Sequence, residues 1–212
     1  MRTLVLCEDA AHPADLTKGG LSGLGECGCE FEFVVDAESV SSEDWAEYPL
    51  TLFSKANQKS ATDKAPWANE ETGQMLTDYV GQGNSILFLH SGTAVYKDLQ
   101  SFRSLMGGVF VGHPPQCPVT VEPEEGHPLT EGSRPFTLQD EHYQMEMYDS
   151  DVDLFLSTRS EHGTQPGGWT RTKGEGRVCV LSPGHNLEIW HHPPYQKILR
   201  NCIDWCKEIL GK

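Results

Sequence analysis

The chain has 212 residues, of which 37% are hydrophobic, and a formal net charge of −15 at pH 7. This length fits one domain covering residues 1–212, and the hydrophobic share is sufficient for a core. The negative charge argues against nucleic acid and anionic membrane surfaces as partners, because both require basic patches. No hydrophobic run reaches the length of a membrane span, and the first residues enter an ordinary strand, so no signal peptide is expected.

The first half of the chain alternates apolar runs with amphipathic segments. Strands are predicted at residues 3–7, 31–36, 50–53 and 86–89, and helical segments at 13–29, around Asp44-Trp45, at 69–81 and at 93–106. Asn69 is a suitable N-cap and Gly81 a suitable end for the third of these, and Gly107-Gly108 stops the fourth. This alternation predicts a doubly wound parallel sheet.

The second half changes character, with shorter strands and more turns. Strands are predicted at residues 119–122, 153–157, 167–171 and 177–182, with turns at 126–130 and 173–176, and a loop at 191–194 leads to a final helix at 195–210. The seven cysteines lack the spacing of a disulfide framework, which indicates reduced thiols in a cytoplasmic protein. The oligomeric state stays open, a homo-oligomer included.

The apolar run at residues 86–89 is followed at once by His90, Ser91 and Gly92. Open α/β sheets bind ligands beyond the carboxyl ends of their strands, where these residues are expected. The corner is similar to a nucleophile elbow, although the full Gly-x-Ser-x-Gly pattern is missing. Alternatively, His90 and Ser91 cap the following helix.

Several segments carry histidine or carboxylate groups at predicted strand ends or in adjacent loops. They are His12, His90 with Ser91, His113, the pair Asp140-Glu141, and His185. Convergence of such groups above a sheet predicts a functional cluster. Histidine and carboxylate are good ligands for divalent ions, so a metal is compatible with the set, but no HxH or HExxH spacing supports one. The sequence identifies no other cofactor.

The pair Asp140-Glu141 has two interpretations. In a strand the two carboxylates point to opposite faces, so both reach one site only if they lie in a loop. There one can hold a partner or a metal while the other moves a proton. Glu141, on the same alternation as Tyr143, is the preferred inward-facing group and Asp140 the second. The alternative is a solvated acidic turn.

Trp169 and Arg171 alternate along one predicted strand. An exposed tryptophan beside an arginine can stack on a sugar and bind a hydroxyl or carboxylate. The equally supported alternative is a structural tryptophan next to an arginine in a salt bridge.

An ordered set of motifs along nearly the whole chain resembles the ThuA-like (trehalose utilisation) family, within the class I glutamine amidotransferase-like superfamily. The motifs are Leu89-His90-Ser91-Gly92, the run 106–114, His127-Pro128-Leu129-Thr130, Phe136 with Asp140-Glu141 and Tyr143, Trp169-Thr170-Arg171, the run 174–178, and Gly184-His185. The resemblance implies a flavodoxin-like three-layer α/β/α sandwich with a mostly parallel central sheet. It also implies a role in the use of disaccharides or their keto derivatives. Glutaminase activity is not expected, because no cysteine lies at the elbow and Glu188 stands three residues after His185 instead of two.

The leading hypothesis is an acid–base enzyme acting on a small-molecule carbohydrate. His90 and His185 would exchange protons with the sugar, and Glu141, with Asp140 second, would orient a histidine or act as base. The residues expected to bind the sugar are His12, His113, Tyr143, Trp169 and Arg171. Two alternatives remain at this stage: hydrolysis by Ser91 activated by a histidine, and a non-catalytic sugar-binding or regulatory module.

Overall fold

A computed structural model describes residues 1–208 of the chain. Its helices are α1 (Ala14–Ser22), α2 (Ser42–Trp45), α3 (Glu70–Gly81), α4 (Gln100–Met106), α5 (Leu187–His191) and α6 (Pro193–Lys207). Its strands are β1 (Arg2–Cys7), β2 (Glu30–Val34), β3 (Leu50–Ser54), β4 (Ser85–Leu89), β5 (Gly108–Gly112), β6 (Cys117–Pro123), β7 (Phe136–Asp140), β8 (Gln144–Met147), β9 (Asp153–Ser160), β10 (Gly163–Lys173) and β11 (Gly176–Leu181).

Nine of these strands form one sheet in the order β2-β1-β3-β4-β11-β10-β9-β6-β7. The pairings among β2, β1, β3, β4 and β11 are parallel, and those from β11 onward to β7 are antiparallel. The strands β5 and β8 form a separate antiparallel pair. The parallel half has helices on both faces, which makes the three-layer α/β/α arrangement that the sequence resemblance implied.

The strand β4 shows why this half is buried on both faces. Ile86 and Phe88 pack into one hydrophobic cluster with residues of α3 and α4, whereas Leu87 and Leu89 pack into a second with residues of α1, α5 and α6. Successive side chains of a strand point to opposite faces, so a strand covered by helices on both sides needs an uninterrupted apolar run. The prediction of a buried strand here is confirmed.

The helix α3 begins as predicted. The side chain of Asn69 accepts a hydrogen bond from the backbone N–H of Thr72, whose hydroxyl accepts one from the N–H of Asn69 in return. Glu70 and Glu71 occupy the first turn, where negative charge is favoured by the helix dipole.

The predicted helix at 93–106 is wrong in its first half. A 3-10 turn occupies His90–Thr93, and α4 starts only at Gln100. Between them, the carbonyl of Ala94 accepts a hydrogen bond from the N–H of Asn57 in the loop after β3, and Val95 has a left-handed backbone with φ 66°. The backbone carbonyl of Ala94 therefore accepts a hydrogen bond from the loop after β3 instead of one from within a helix.

Two other helix predictions had the wrong limits. The predicted helix 13–29 ends at Ser22, since the glycines that follow include Gly25 and Gly28 with positive φ. The predicted loop at 191–194 contains the last residue of α5 and the proline that starts α6. The predicted last positions of the final helix, 209 and 210, lie outside the described residues.

Candidate functional site at the carboxyl edge of the sheet

Four segments converge at the carboxyl edge of the parallel strands. They follow β1, β4, β7 and β11 and carry His12, His90, Glu141 and His185, which we call the His/Glu cluster. Each residue offers one nitrogen or oxygen atom, and these atoms all lie within 4.8 Å of one another. The strand β7 reaches this edge because four successive antiparallel pairings turn it back into the direction of β11.

His90 lies at the corner immediately after β4. Its backbone is left-handed with φ 43°, a conformation that costs energy for a residue with a Cβ atom and often occurs at functional sites. Its Nδ1–H donates to the carbonyl of Ser182, 2.7 Å away, because a carbonyl can only accept. In the neutral ring the lone pair is then on Nε2, which is buried without a hydrogen-bond partner among the described residues.

His12 is held by Asp9, three residues earlier in the same loop. The Nδ1 atom of His12 is 2.8 Å from Oδ1 of Asp9, and Oδ2 accepts from the N–H of Ala56 at 3.0 Å. Burial opposes ionisation of Asp9, but the hydrogen bond from His12 and the N–H groups of Ala56 and Ala11 outweigh it and lower the pKa of the carboxyl. His12 therefore donates from Nδ1 and presents Nε2 to the Nδ1 atom of His185 at 3.0 Å.

The adjacent carboxylates at the end of β7 make different contacts. Asp140 is fully buried and accepts from the N–H groups of Gly184 and His185 at 3.0 and 2.9 Å, which fixes the corner after β11. Glu141 lies just beyond the strand and enters the His/Glu cluster. Its Oε2 atom is 3.2 Å from Nδ1 of His185 and 3.6 Å from Nε2 of His90.

The charges of the cluster follow from these contacts. The hydrogen bond with Glu141 raises the pKa of His185. Burial opposes ionisation of Glu141, but the proximity of the His185 and His90 rings prevails and lowers the pKa of that carboxyl. Burial lowers the pKa of His90, although Glu141 acts in the opposite direction. The cluster thus combines a neutral imidazole with a second imidazole that shares a proton with a carboxylate.

Aromatic and half-exposed groups border the cluster. Tyr143 is buried and stacks on the ring of His90, with 4.0 Å between the centroids. His113 has its Nε2 atom 3.6 Å from Oε1 of Glu141, and its side chain is 35% exposed against 12% for Glu141 and 2% for His90. Access to the cluster is therefore from the side of His113 and His185, whose side chains are 35% and 18% exposed.

A surface cavity of about 750 Å³ lies elsewhere, between the loops of residues 123–135. Its lining shares no residue with the His/Glu cluster. We therefore do not assign the chemistry to it.

Two predicted catalytic residues have different positions from those expected. Ser91 is buried, and its hydroxyl makes no hydrogen bond among the described residues, to a histidine or any other group. The carboxylate of Asp140 accepts hydrogen bonds from the backbone N–H groups of Gly184 and His185. It is therefore not placed in the cluster to carry a proton. Burial raises the pKa of the Asp140 carboxyl. The proximity of His90 and the hydrogen bonds from backbone N–H groups act in the opposite direction, towards a lower pKa.

For Trp169 and Arg171 the structure favours the alternative of a structural tryptophan beside an arginine in a salt bridge. Trp169 is completely buried and donates its Nε1–H to the carbonyl of Met106. Arg171 has a side chain 1% exposed and binds Asp149 and Asp151. Because β10 runs opposite to β11, residues later in β10 lie farther from the carboxyl edge, and both faces of this strand are covered.

The sequence interpretation missed two residues that orient the histidines. Asp9 could have been found from its spacing to His12, since an aspartate three residues before a histidine in a loop can accept from its ring. Ser182 gave no signal, because it acts through its backbone carbonyl, which every residue type possesses. His12, predicted to touch sugar, lies inside the cluster instead, 6% exposed.

Comparison with known proteins agrees with this architecture. The family profile ThuA, described as trehalose utilisation, matches residues 4–206. No curated protein matches the chain in sequence. No helix within residues 1–208 combines the length and hydrophobicity needed to cross a membrane.

Three solved structures illustrate the likeness in fold. A ThuA-like protein from Bacteroides uniformis ATCC 8492 superposes with a TM-score of 0.75 at 19% identity, covering 97% of this chain and 91% of that one. A ThuA-like protein from Parabacteroides merdae ATCC 43184 gives 0.73 at 16% identity, covering 100% and 91%. The β-galactosidase from Rahnella sp. R3 gives 0.68 at 12% identity, covering 97% of this chain but 31% of that one. At such low identity these likenesses establish the fold and nothing further.

Proposed function

Because the chain belongs to the ThuA family of trehalose utilisation, we propose that its His/Glu cluster is the active site of an enzyme acting on a disaccharide or keto-sugar. The reaction is acid–base chemistry, carried out beyond the carboxyl edge of the sheet. One observation carries the proposal: the buried Nε2 atom of His90 has a lone pair without a partner and faces a hydrogen-bonded pair of His185 and Glu141.

The contacts suggest a role for each group. A keto-sugar enters with its carbonyl oxygen towards His185 and the adjacent C–H towards His90. His90 takes the proton from carbon at Nε2, and His185 gives a proton to the carbonyl oxygen, which yields an enediol. For isomerisation, His90 returns its proton to the former carbonyl carbon while His185 takes the proton of the other hydroxyl. For elimination, His185 takes the enol proton while the β-oxygen substituent leaves with the proton from His90. Glu141 holds the two histidines at 3.6 and 3.2 Å and balances the charge.

The two alternatives fit the structure less well. A serine hydrolase needs a base in contact with its nucleophile, and the hydroxyl of Ser91 has no hydrogen-bond partner in the described part of the chain. A sugar-binding module needs an open face for stacking, but the tryptophan that could supply it, Trp169, is in the core. An enclosed group of titratable residues with shifted pKa values favours the enzyme.

Proton exchange with solvent provides the test. The protein is incubated in deuterated water with trehalose, sucrose, maltose and their keto derivatives, and the sugars are then examined by mass spectrometry and NMR. We expect deuterium at carbon next to a keto group, with or without a new product. His90→Gln should lower the rate by about 10²–10⁴-fold, the usual contribution of one acid or base, while sugar binding measured by calorimetry changes much less.

A matched control is His162→Gln, the same substitution in an exposed turn outside the cluster. It should exchange like the parent protein. Normal exchange in His90→Gln would overturn the catalytic assignment. A parent protein that neither exchanges nor consumes any of these sugars would overturn the enzyme, and binding without turnover would identify the sugar-binding module.

A further inference from the structure

We propose that the His/Glu cluster binds one divalent transition-metal ion. The ligands are Nε2 of His12, Nε2 of His90, Nδ1 of His185 and one carboxylate oxygen of Glu141. Metal binding stands on the geometry of these side chains alone. Its consequence for catalysis rests on the proposed function, because the same pocket is involved.

The four atoms already have nearly the spacing of a coordination shell. Bonds from zinc to nitrogen or carboxylate oxygen are about 2.0–2.2 Å, so ligands of one tetrahedral ion lie about 3.3 Å apart. The distance between His12 and His185 is 3.0 Å, that between His185 and Glu141 is 3.2 Å, and that between His90 and Glu141 is 3.6 Å. The widest separation, within 4.8 Å, needs only a small inward movement of side chains.

The second ring nitrogens of His12 and His90 support the same conclusion. Metal-binding histidines donate their other N–H to a carboxylate or a backbone carbonyl, which turns the lone pair towards the ion. His12 donates to Asp9, and His90 donates to the carbonyl of Ser182. These two partners come from different loops, yet each leaves the lone pair of a neutral ring on Nε2, and both Nε2 atoms belong to the cluster.

Proton sharing within the cluster does not explain all of these contacts. It accounts for the short distance between His12 and His185 and for that between His185 and Glu141. It leaves Nε2 of His90 buried without a hydrogen bond. An ion at the centre of the cluster would satisfy this atom together with the other three.

The donor set indicates the class of metal. Imidazole nitrogens suit zinc, iron, cobalt and nickel, whereas magnesium and calcium prefer oxygen ligands. Three imidazoles and one carboxylate therefore favour a first-row transition metal. Glu141 can bind through Oε2, since its Oε1 atom faces His113 at 3.6 Å.

With an ion bound, the roles of the residues in the proposed reaction would change. The ion, instead of the proton on His185, would polarise the carbonyl oxygen of the sugar. His90 would then serve as a ligand, and the proton from carbon would pass to Oε1 of Glu141 and onward to the half-exposed His113.

Cobalt binding tests the proposal without any sugar. The full chain is stripped with a chelator and titrated with cobalt chloride, followed by calorimetry, visible absorption and thermal unfolding. We expect one Co²⁺ per chain, an absorption band typical of imidazole-bound cobalt, and a higher Tm, because a ligand of the folded state stabilises it. Asp9→Asn should weaken binding about 10–100-fold, the usual effect of losing an outer partner of a ligand, and His12→Ala and His185→Ala should weaken it more.

The control is His127→Gln. His127 also pairs with a carboxylate, with its Nε2 atom 3.2 Å from Asp153, but it lies outside the cluster. This variant should bind cobalt like the parent, and circular dichroism checks that every variant is folded. A parent that binds no cobalt, or His12→Ala and His185→Ala proteins that are folded and bind it normally, would overturn the site.

The two proposals fail separately. Deuterium exchange that persists after complete removal of metal would leave the acid–base function intact and exclude a catalytic ion. Cobalt binding without any sugar chemistry would establish the site and remove the proposed function.

Discussion

Two clusters of charged side chains hold distant parts of this molecule together, and they differ in what they leave unpaired. In the His/Glu cluster a lone pair of His90 has no hydrogen-bond partner within residues 1–208. In the second cluster Arg171 binds Asp149, Asp151 and the carbonyl of Ser104, and the group left without a hydrogen bond is the N–H at Nε.

The nature of the unpaired group decides what each cluster can do. Arginine stays protonated in proteins and has no lone pair to offer, so the unpaired N–H of Arg171 can neither accept a proton nor hold a metal. An imidazole lone pair can do both. Buried charge alone therefore does not identify a functional site, and the bonding capacity left after folding is the better criterion.

The largest effect that would sharpen this contrast is on stability, at Trp169. Trp169→Ala removes a fully buried side chain beside the Arg171 cluster and should lower the free energy of unfolding by about 3–5 kcal/mol. Deuterium exchange per folded molecule should be retained. Urea unfolding followed by fluorescence or circular dichroism gives the first quantity. If Trp169→Ala bound sugar more weakly while keeping its free energy of unfolding, Trp169 would have to be considered a sugar-binding residue again.

A smaller loss is expected at Arg171. Arg171→Met keeps much of the volume but leaves the carbonyl of Ser104 without this donor and should lower the unfolding free energy by about 1–3 kcal/mol. The matched control is Arg159→Met, since Arg159 is 57% exposed in its pair with Glu122 and should contribute about 0–1 kcal/mol. Equal losses in the two variants would show that burial of the arginine has no special importance.

The smallest effect should come from the thiols, which belong to neither cluster. The seven cysteines are free; six are buried and Cys29 is partly exposed. Burial raises the pKa of Cys7 to about 11, which leaves little reactive thiolate at neutral pH. Iodoacetamide applied to the native protein should leave deuterium exchange unchanged, whereas the unfolded chain should be labelled throughout. A loss of activity against which substrate protects would contradict this expectation.

The fold was largely predictable because its main signals are local. The apolar run of β4 and the cap at Asn69 each determine their element from a few neighbouring residues. The helix predicted at 93–106 failed because its backbone bonds are decided by a distant partner, the N–H of Asn57. Local patterns contain no information about such competition.

The site was predictable only in part, for a related reason. Strand ends fall at one edge of a parallel sheet, so the convergence of His90 and His185 follows from topology. The burial of Trp169 and Arg171 does not follow from topology. The alternation of side chains along a strand assigns them to two faces of the sheet but does not tell whether either face is exposed to solvent. The position of His12 in the cluster depends on its hydrogen bond with Asp9. That bond forms only in the particular conformation of the loop after β1.

The contact between His12 and His185 joins residues 173 positions apart, and that between His90 and Ser182 spans 92. Closing such long loops is slow in folding compared with forming helices and neighbouring strands. A nascent chain synthesised as far as residue 184 already contains every strand of the sheet but still lacks one of the four groups of the cluster. Ion or substrate binding would therefore report that synthesis has passed His185, which strand pairing alone cannot do.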